Sequence, residues 1–258
     1  MTIPEIQKMK GEKKIVALTC YDYQMAKILD DAGIDIILVG DSLGMVVLGY
    51  ENTLPVTMEE MLHHIKAVKR GIKNSFLVAD MPFLSYKVSI KDSVYNAGRM
   101  IKEGGAGAVK TEGGSEIIPT IKAILDADIP VMGHIGLRPQ AIHKMGGYKV
   151  QRDEMLIEEA KALEEAGIFS LVLECMPESL AKRITEKLKI PTIGIGSGIH
   201  CDGQILVLND MIGLTERSPK FVRRYLNMGD EILGAIERFK EDVLKGDFPK
   251  KEESYESR

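Results

Sequence analysis

Apolar residues along the chain fall into two alternating patterns: dense short runs, and longer segments in which they recur every three or four positions. The dense runs fit strands buried on both faces. They are Ile15 to Cys20, the apolar part of Ile34 to Gly44, Phe76 to Asp80, Ala106 to Glu112, Pro130 to Gly136, Ser170 to Cys175, Pro191 to Ser197 and Gln204 to Met211. The segments between them have helical spacing and helical punctuation. Met25, Ala26, Ile28, Leu29 and Ala32 follow Asp22 and stop at Gly33, and a Thr57/Glu60 capping box precedes Met61, Leu62, Ile65 and Val68. Ser89, Ser115 and Asp153 open further helices, and Leu180 to Lys189 forms another.

Strand and helix alternate without an intervening linker, which predicts a closed parallel (βα)8 TIM barrel rather than an open sheet. The length of 258 residues agrees with the roughly 250 of such barrels. A single domain over 1–258 is expected, with a short N-terminal helix over Thr2 to Met9 and a C-terminal helical extension starting at Ser218 and Pro219. A flexible tail is expected from about residue 245 to 258. Two features strain this frame. Only Ile199 to Gly203 separates the last two strands, so one connecting helix is absent or reduced to a turn. And the echo of Leu29 to Ile34 in Leu163 to Ile168 aligns Asp41 with Cys175, so Asp41 and Glu174 can share a face only if Asp41 has already left its strand.

Composition narrows the partners. A net charge of −4 with no basic block excludes a phosphate-tracking surface, so no nucleic acid is expected. No segment approaches the ~18 uninterrupted apolar residues of a membrane span. Met1 to Lys14 lacks an export-type apolar core, and Cys20, Cys175 and Cys201 are odd in number and widely spaced, which together predict reduced thiols and a cytoplasmic protein.

In a β/α barrel the chemistry sits at the C-terminal ends of the strands, and here those ends are polar with unusual consistency. Strand two ends in Asp41 and Ser42, strand three in Asp80, strand four holds Lys110 and Glu112 on one face, strand five holds His134, and strand six ends in Glu174. Carboxylates converging from adjacent strands repel unless a cation lies between them, and an all-oxygen set suits Mg²⁺. The alternative is that each acid caps the helix that follows it. Lys110 within an apolar strand needs a carboxylate partner, Glu112 being the nearest in sequence, or a ligand. His134 fits either a donor to substrate or a satisfied core histidine. Gly194, Gly196 and Gly198 read as a tight strand-end turn rather than a phosphate loop, since no long helix follows.

Several of these stretches together resemble the ketopantoate hydroxymethyltransferase family: Thr19-Cys20-Tyr21-Asp22, Val39-Gly40-Asp41-Ser42-Leu43-Gly44, Ala79-Asp80-Met81-Pro82-Phe83, Val109-Lys110-Thr111-Glu112-Gly113, Gly133-His134-Ile135-Gly136, Leu173-Glu174-Cys175 and Ile193 to Gly198. The resemblance covers nearly the whole chain. It implies a barrel of the phosphoenolpyruvate/pyruvate type, Mg²⁺, methylenetetrahydrofolate as co-substrate, α-ketoisovalerate as acceptor, and a homo-oligomer, in this family a decamer. By matched position it implies Asp41 and Asp80 as metal ligands and Glu112 at the metal directly or through water. Ser42, Lys110 and His134 would then be the substrate contacts and Glu174 the acid/base. Two rivals stand beside it: another Mg²⁺ enolate enzyme on the same barrel, such as a lyase or mutase, and a metabolite-binding regulator built on an inactive scaffold.

Overall fold

The computed structural model describes residues 1–255. The expected strands form a closed, all-parallel barrel in chain order, β1 (Ile15–Thr19), β2 (Ile36–Val39), β3 (Phe76–Asp80), β4 (Ala108–Glu112), β5 (Val131–Gly136), β6 (Ser170–Glu174), β7 (Thr192–Ile195) and β8 (Gly203–Leu206), with β8 closing onto β1. Its interior is an apolar column of Ile15, Ala17, Ile36, Leu38, Val78, Ala108, Met132, Val172, Ile193 and Ile205. The short helix α1 (Ile3–Lys8) contributes Ile6, fully buried, to the same column, with Ile3 and Met9 packed beside it. The N-terminal helix therefore plugs one mouth of the barrel.

The outer helices begin where local chemistry dictates. Asp22 caps α2 (Tyr23–Asp31) by accepting from the Met25 N–H at 2.9 Å. After the turn α3 (Leu43–Val46), Thr57 and Glu60 close the expected capping box on α4 (Met58–Gly71), and Ser89 accepts from the Asp92 N–H at 3.0 Å to start α5 (Ile90–Lys102). Each such cap is worth about 1 kcal/mol. Helices α6 (Ile118–Asp126), α7 (Ile142–Met145), α8 (Met155–Ala166) and α9 (Glu178–Lys187) continue the alternation. A buried carboxylate ties one helix to the next strand: Asp30, at the end of α2, accepts from the backbone N–H groups of Lys73, Asn74 and Ser75 at 3.0, 2.9 and 2.7 Å, at the entrance to β3. Burial opposes its charge, but those donors outweigh burial and hold its pKa down at about 2.

One expectation is met here and two meet a different outcome. The short link before β8 is real: Ile193 pairs with Gly203, and no helix intervenes. Asp202 in that link accepts from the Thr192 N–H at 2.9 Å and from Lys10 Nζ at 2.7 Å, so side-chain bonds do there what a helix does elsewhere. β8 itself stops at Leu206, because Leu208–Met211 (α10) is helical and the Leu208 N–H is taken by Thr19 Oγ1 at 3.0 Å. The C-terminal helix α11 runs over Met228–Lys245 and does not start at Pro219. Upstream of it, the Pro219 carbonyl accepts from the Val222 N–H at 3.0 Å to close one turn, but the Tyr225 N–H is taken by the Met211 carbonyl at 2.8 Å, so that turn does not propagate as a helix.

By contact density the chain divides into two compact units, Met1 to Leu208 and from Asn209 onward. In the second, α11 buries no residue, and Ile232, Leu233, Ile236, Phe239 and Val243 are exposed along it. Of the expected tail, a 3-10 turn forms at Lys251–Glu253, and residues 256–258 lie outside the described residues. No helix among the described residues is long and apolar enough to cross a membrane.

Candidate active site

Period-two alternation stacks the barrel interior into layers. Val78 on β3, Ala108 on β4, Met132 on β5 and Val172 on β6 belong to the apolar column. One inward step toward the C-terminal end replaces them with Asp80, Lys110, His134 and Glu174, and a further step on β4 gives Glu112. These residues, with Asp41 and Ser42, line one cleft of about 100 Å³. Strand register makes Asp80 the neighbour of Lys110, and Glu112 the neighbour of His134.

Asp41 reaches the cleft by a different route. β2 ends at Val39, and the chain turns at Gly40, where a Cβ would come within 2.9 Å of Ser42 Oγ. The Asp41 side chain therefore swings to the same side as Glu174, the last residue of β6, as the alignment of the two repeats requires. Glu174 has its own device: Cys175 follows with φ +49°, an uncommon conformation for a residue with a side chain, and the Glu174 carbonyl accepts from Leu137 N–H at 2.9 Å. Gly136, at φ +96°, makes room for that approach, since a Cβ there would lie 2.2 Å from the Glu174 carbonyl oxygen.

Asp41, Asp80 and Glu112 are all buried, and each offers an oxygen within 4.8 Å of the other two. None caps a helix; the residues preceding α3, α5, α6 and α9 are Ser42, Ser89, Ile117 and Pro177. Lys110 pairs chiefly with Asp80, its Nζ 2.8 and 2.9 Å from the two carboxylate oxygens, and stands 3.6 Å from Glu112. His134 is buried between two acids, Nε2 at 3.2 Å from Glu174 and Nδ1 at 3.6 Å from Glu112, within ion-pair distance of both but with hydrogen-bond geometry at neither.

The electrostatics of the cleft are unbalanced. Burial, followed by repulsion from Asp80 and Glu112, pushes the Asp41 pKa well up, and burial raises that of Asp80 although Lys110 opposes it. Glu112 escapes: burial would raise it, but Lys110, His134 and the Gln140 N–H hold it at about 2. Lys110 is raised despite burial by Asp80, Glu112 and Asp41, and His134, which burial and Lys110 would lower, is carried to about 9 by Glu112 and Glu174. Four carboxylates thus face two cations, and one divalent ion among three oxygen donors would balance them. The buried residues fit Mg²⁺ in kind, number and charge.

Two residues that hold this cleft together have no signal in the sequence. Gln140, buried in the loop after β5, donates from Nε2 to Asp41 Oδ2 at 2.8 Å and to the Met81 carbonyl at 2.9 Å, while its backbone N–H donates to Glu112 Oε2 at 3.1 Å. Tyr86, fully buried, donates to Gln140 Oε1 at 2.7 Å and accepts from the Glu112 N–H at 3.0 Å. Both lie in loops without periodicity. Tyr21, within a stretch that did stand out, places its hydroxyl 2.8 Å from Ser42 Oγ. The remaining histidines stay out of the cleft: His64 sits on α4 against the Tyr21 carbonyl at 2.6 Å, and His200 pairs with Glu178 at 3.0 Å. The glycine turn after β7 is a matter of packing, a Cβ at Gly198 meeting Glu178 at 2.3 Å.

The family model described as Ketopantoate hydroxymethyltransferase matches residues 1–251. Over 254 residues the chain is 55% identical to the 3-methyl-2-oxobutanoate hydroxymethyltransferase of Syntrophomonas wolfei, covering 96% of this chain and 92% of that protein. Over 261 residues it is 55% identical to the protein of the same name from Geobacter metallireducens, covering 98% of each. Among solved structures it is similar to a phosphonopyruvate hydrolase in complex with oxalate and Mg²⁺, with TM-score 0.63 and 15% identity over 98% of this chain and 93% of that one. A 2,3-dimethylmalate lyase of the PEP mutase/isocitrate lyase superfamily gives TM-score 0.62 and 13% identity over 98% and 91%. At these identities the structural likeness is one of fold.

Proposed function

This chain belongs to the ketopantoate hydroxymethyltransferase family, and from that premise we propose that it transfers a hydroxymethyl group to α-ketoisovalerate with methylenetetrahydrofolate as donor and Mg²⁺ held by Asp41, Asp80 and Glu112. The observation that carries the reading is the buried carboxylate triad, balanced only in part by Lys110, with Glu174 presented across the same cleft. A lyase or mutase on this barrel would share the triad, and the family match over 251 residues speaks against it.

Bound at the triad, the metal supplies electrophilic polarisation of the keto group and accommodates charge as C3 loses its proton. The residues of the chain do the rest. Ser42, its hydroxyl oriented by Tyr21, and Lys110, anchored on Asp80, are the donors for the keto acid. Glu174 takes the C3 proton, and His134, its pKa raised to about 9 by Glu112 and Glu174, stands 3.2 Å from that base. The electron pair left on C3 forms the new bond to the donor's methylene carbon, both C–N bonds of that carbon break, and water supplies the product hydroxyl, the second water proton and the proton taken from C3 leaving on the two nitrogens of tetrahydrofolate. Val172, Ile195 and Leu206 give the cleft apolar walls against which the isopropyl group of the substrate packs. The exposed apolar face of α11 supports the homo-oligomeric state that the family resemblance implies.

The test follows the C3 proton of α-ketoisovalerate by NMR in D₂O without any folate. Exchange is expected to require Mg²⁺ and to slow by about 10²–10⁴ in Glu174→Gln, the range of a lost general base. An enzyme that exchanges no proton at any metal concentration would refute the mechanism.

A further inference from the structure

The carboxylate cleft cannot enclose both reactants. Its volume of about 100 Å³ lies well below the ~300–1,000 Å³ of pockets that surround drug-sized ligands, and no Phe or Tyr belongs to its lining. It takes a small keto acid and not a folate. Yet the reacting methylene of the donor is bonded to a nitrogen of the pterin and to the aniline nitrogen of the 4-aminobenzoyl ring. Both ring systems must therefore lie at the mouth of this cleft when the methylene meets C3.

Tyr148 and Met45 stand at that mouth. Met45 lies on α3, which begins immediately after Asp41 and Ser42. Tyr148 follows Gly146 and Gly147, whose φ values of +67° and +110° turn the chain, and precedes Gln151, whose N–H donates to the Cys175 carbonyl at 2.8 Å. The loop is thus anchored beside Glu174. The Tyr148 hydroxyl donates to Met45 Sδ at 3.7 Å, so the pair bridges the ends of the two strands that present Asp41 and Glu174. Burial, then the charges of Glu174, Asp41 and Glu112, raise the pKa of that hydroxyl, as its place over the cleft requires. The residue as a whole is nevertheless 54% exposed, and Met45 38%. Among the described residues no other ring and no cation stacks on the Tyr148 ring. An open aromatic face backed by a polarisable sulfur is a surface that receives another ring.

We propose that Tyr148, with Met45 behind it, is the surface on which a ring flanking the methylene of the one-carbon donor lies, so that the methylene points down the cleft at C3. The proposal rests on methylenetetrahydrofolate being that donor. Gly146 and Gly147 let the tyrosine adjust to the arriving ring, while the Gln151 anchor keeps it over Glu174. Tyr148 is then a donor-binding residue, and the keto acid below it is held by other side chains.

The experiment measures binding of tetrahydrofolate, and of tetrahydropteroate, which lacks the glutamate, in the presence of Mg²⁺ and α-ketoisovalerate. The proteins are the wild type, Tyr148→Phe, Tyr148→Ala and Met45→Ala, and C3 proton exchange is followed in each without folate. Tyr148→Ala is expected to lose about tenfold in affinity for both ligands, the worth of one aromatic contact. Tyr148→Phe, which keeps the ring, should bind both nearly as the wild type does, and Met45→Ala should fall between. Wild-type affinity in Tyr148→Ala overturns the proposal, and so does a loss confined to tetrahydrofolate, which would place the residue on the glutamate. A Tyr148→Phe protein as weak as Tyr148→Ala also overturns it, since the hydroxyl and not the ring would then bind. A fall in C3 exchange matching the fall in affinity would place Tyr148 on the keto acid and overturn it too. A wild type that exchanges the C3 proton but binds neither ligand would instead refute tetrahydrofolate as the donor, and this reading with it.

Discussion

Replacing Gln140 by methionine isolates what the residue does for the buried carboxylates proposed to hold Mg²⁺. The substitution keeps the length and apolar stem, and it leaves the backbone N–H that donates to Glu112 Oε2. It removes the Nε2 bonds to Asp41 at 2.8 Å and to the Met81 carbonyl at 2.9 Å, and it takes from the Tyr86 hydroxyl its Oε1 acceptor at 2.7 Å, leaving that hydroxyl the Glu112 carbonyl at 3.1 Å. A bond to a carboxylate contributes about 1.5–3 kcal/mol and a neutral one about 1, so the loss of all three bounds the destabilisation at roughly 3–5 kcal/mol before the sulfur's packing offsets part of it. Outer partners of metal-binding side chains are worth about 10–100-fold in metal affinity. The expectation is a Mg²⁺ affinity weakened by that factor, measured by calorimetry, with the native circular dichroism spectrum retained. Glu112, still held by the backbone donor, should remain in place, so the loss should be smaller than in Asp41→Ala. A folded Gln140→Met protein with wild-type Mg²⁺ affinity would refute the assignment of Gln140 as a positioning residue for Asp41.

Asp41→Ala and Asp80→Ala should each weaken Mg²⁺ binding in the same calorimetric titration, and unchanged affinity in either would remove that residue as a ligand. Asp80→Ala should also destabilise the metal-free protein, by roughly 3–5 kcal/mol in chemical denaturation, because it leaves Lys110 buried without its nearest partner. Asp30 provides a pH test away from the site. Its folded pKa of about 2 lies below the ordinary carboxylate value of about 3.9, so its contribution is complete above that value and is lost as pH falls from about 4 toward 2. Asp30→Asn should cost about 2–3 kcal/mol at pH 7 and much less near pH 2, and a penalty independent of pH would contradict that account.

Much of the barrel is legible in the sequence because local physics and fold agree. Dense β-branched runs, Thr57 with Glu60, Ser89, and glycines at helix ends each encode a boundary through a bond or dihedral made within a few residues. The C-terminal extension was not legible in the same way. Ser218 and Pro219 offer a good start signal, yet the Tyr225 N–H goes to the Met211 carbonyl rather than back along a helix, and the helix begins only at Met228. The alternation on β4 put Lys110 and Glu112 together, but the ion pair nearest in sequence proved secondary. Strand register brings Asp80 to Lys110, and register is a property of neighbouring strands rather than of either one.

The sequence by itself determined the eight strands, the polar row at their C-terminal ends, and the requirement that Asp41 leave its strand to join Glu174, since each follows from residue type and a period of two. Only the tertiary structure decided which charges meet: Asp80 with Lys110, His134 between Glu112 and Glu174, and Gln140, nearly a hundred positions away, on Asp41. Those partners lie on separate strands and loops, and nothing local to any one of them specifies the other. Closure of the barrel is what brings them within hydrogen-bonding distance.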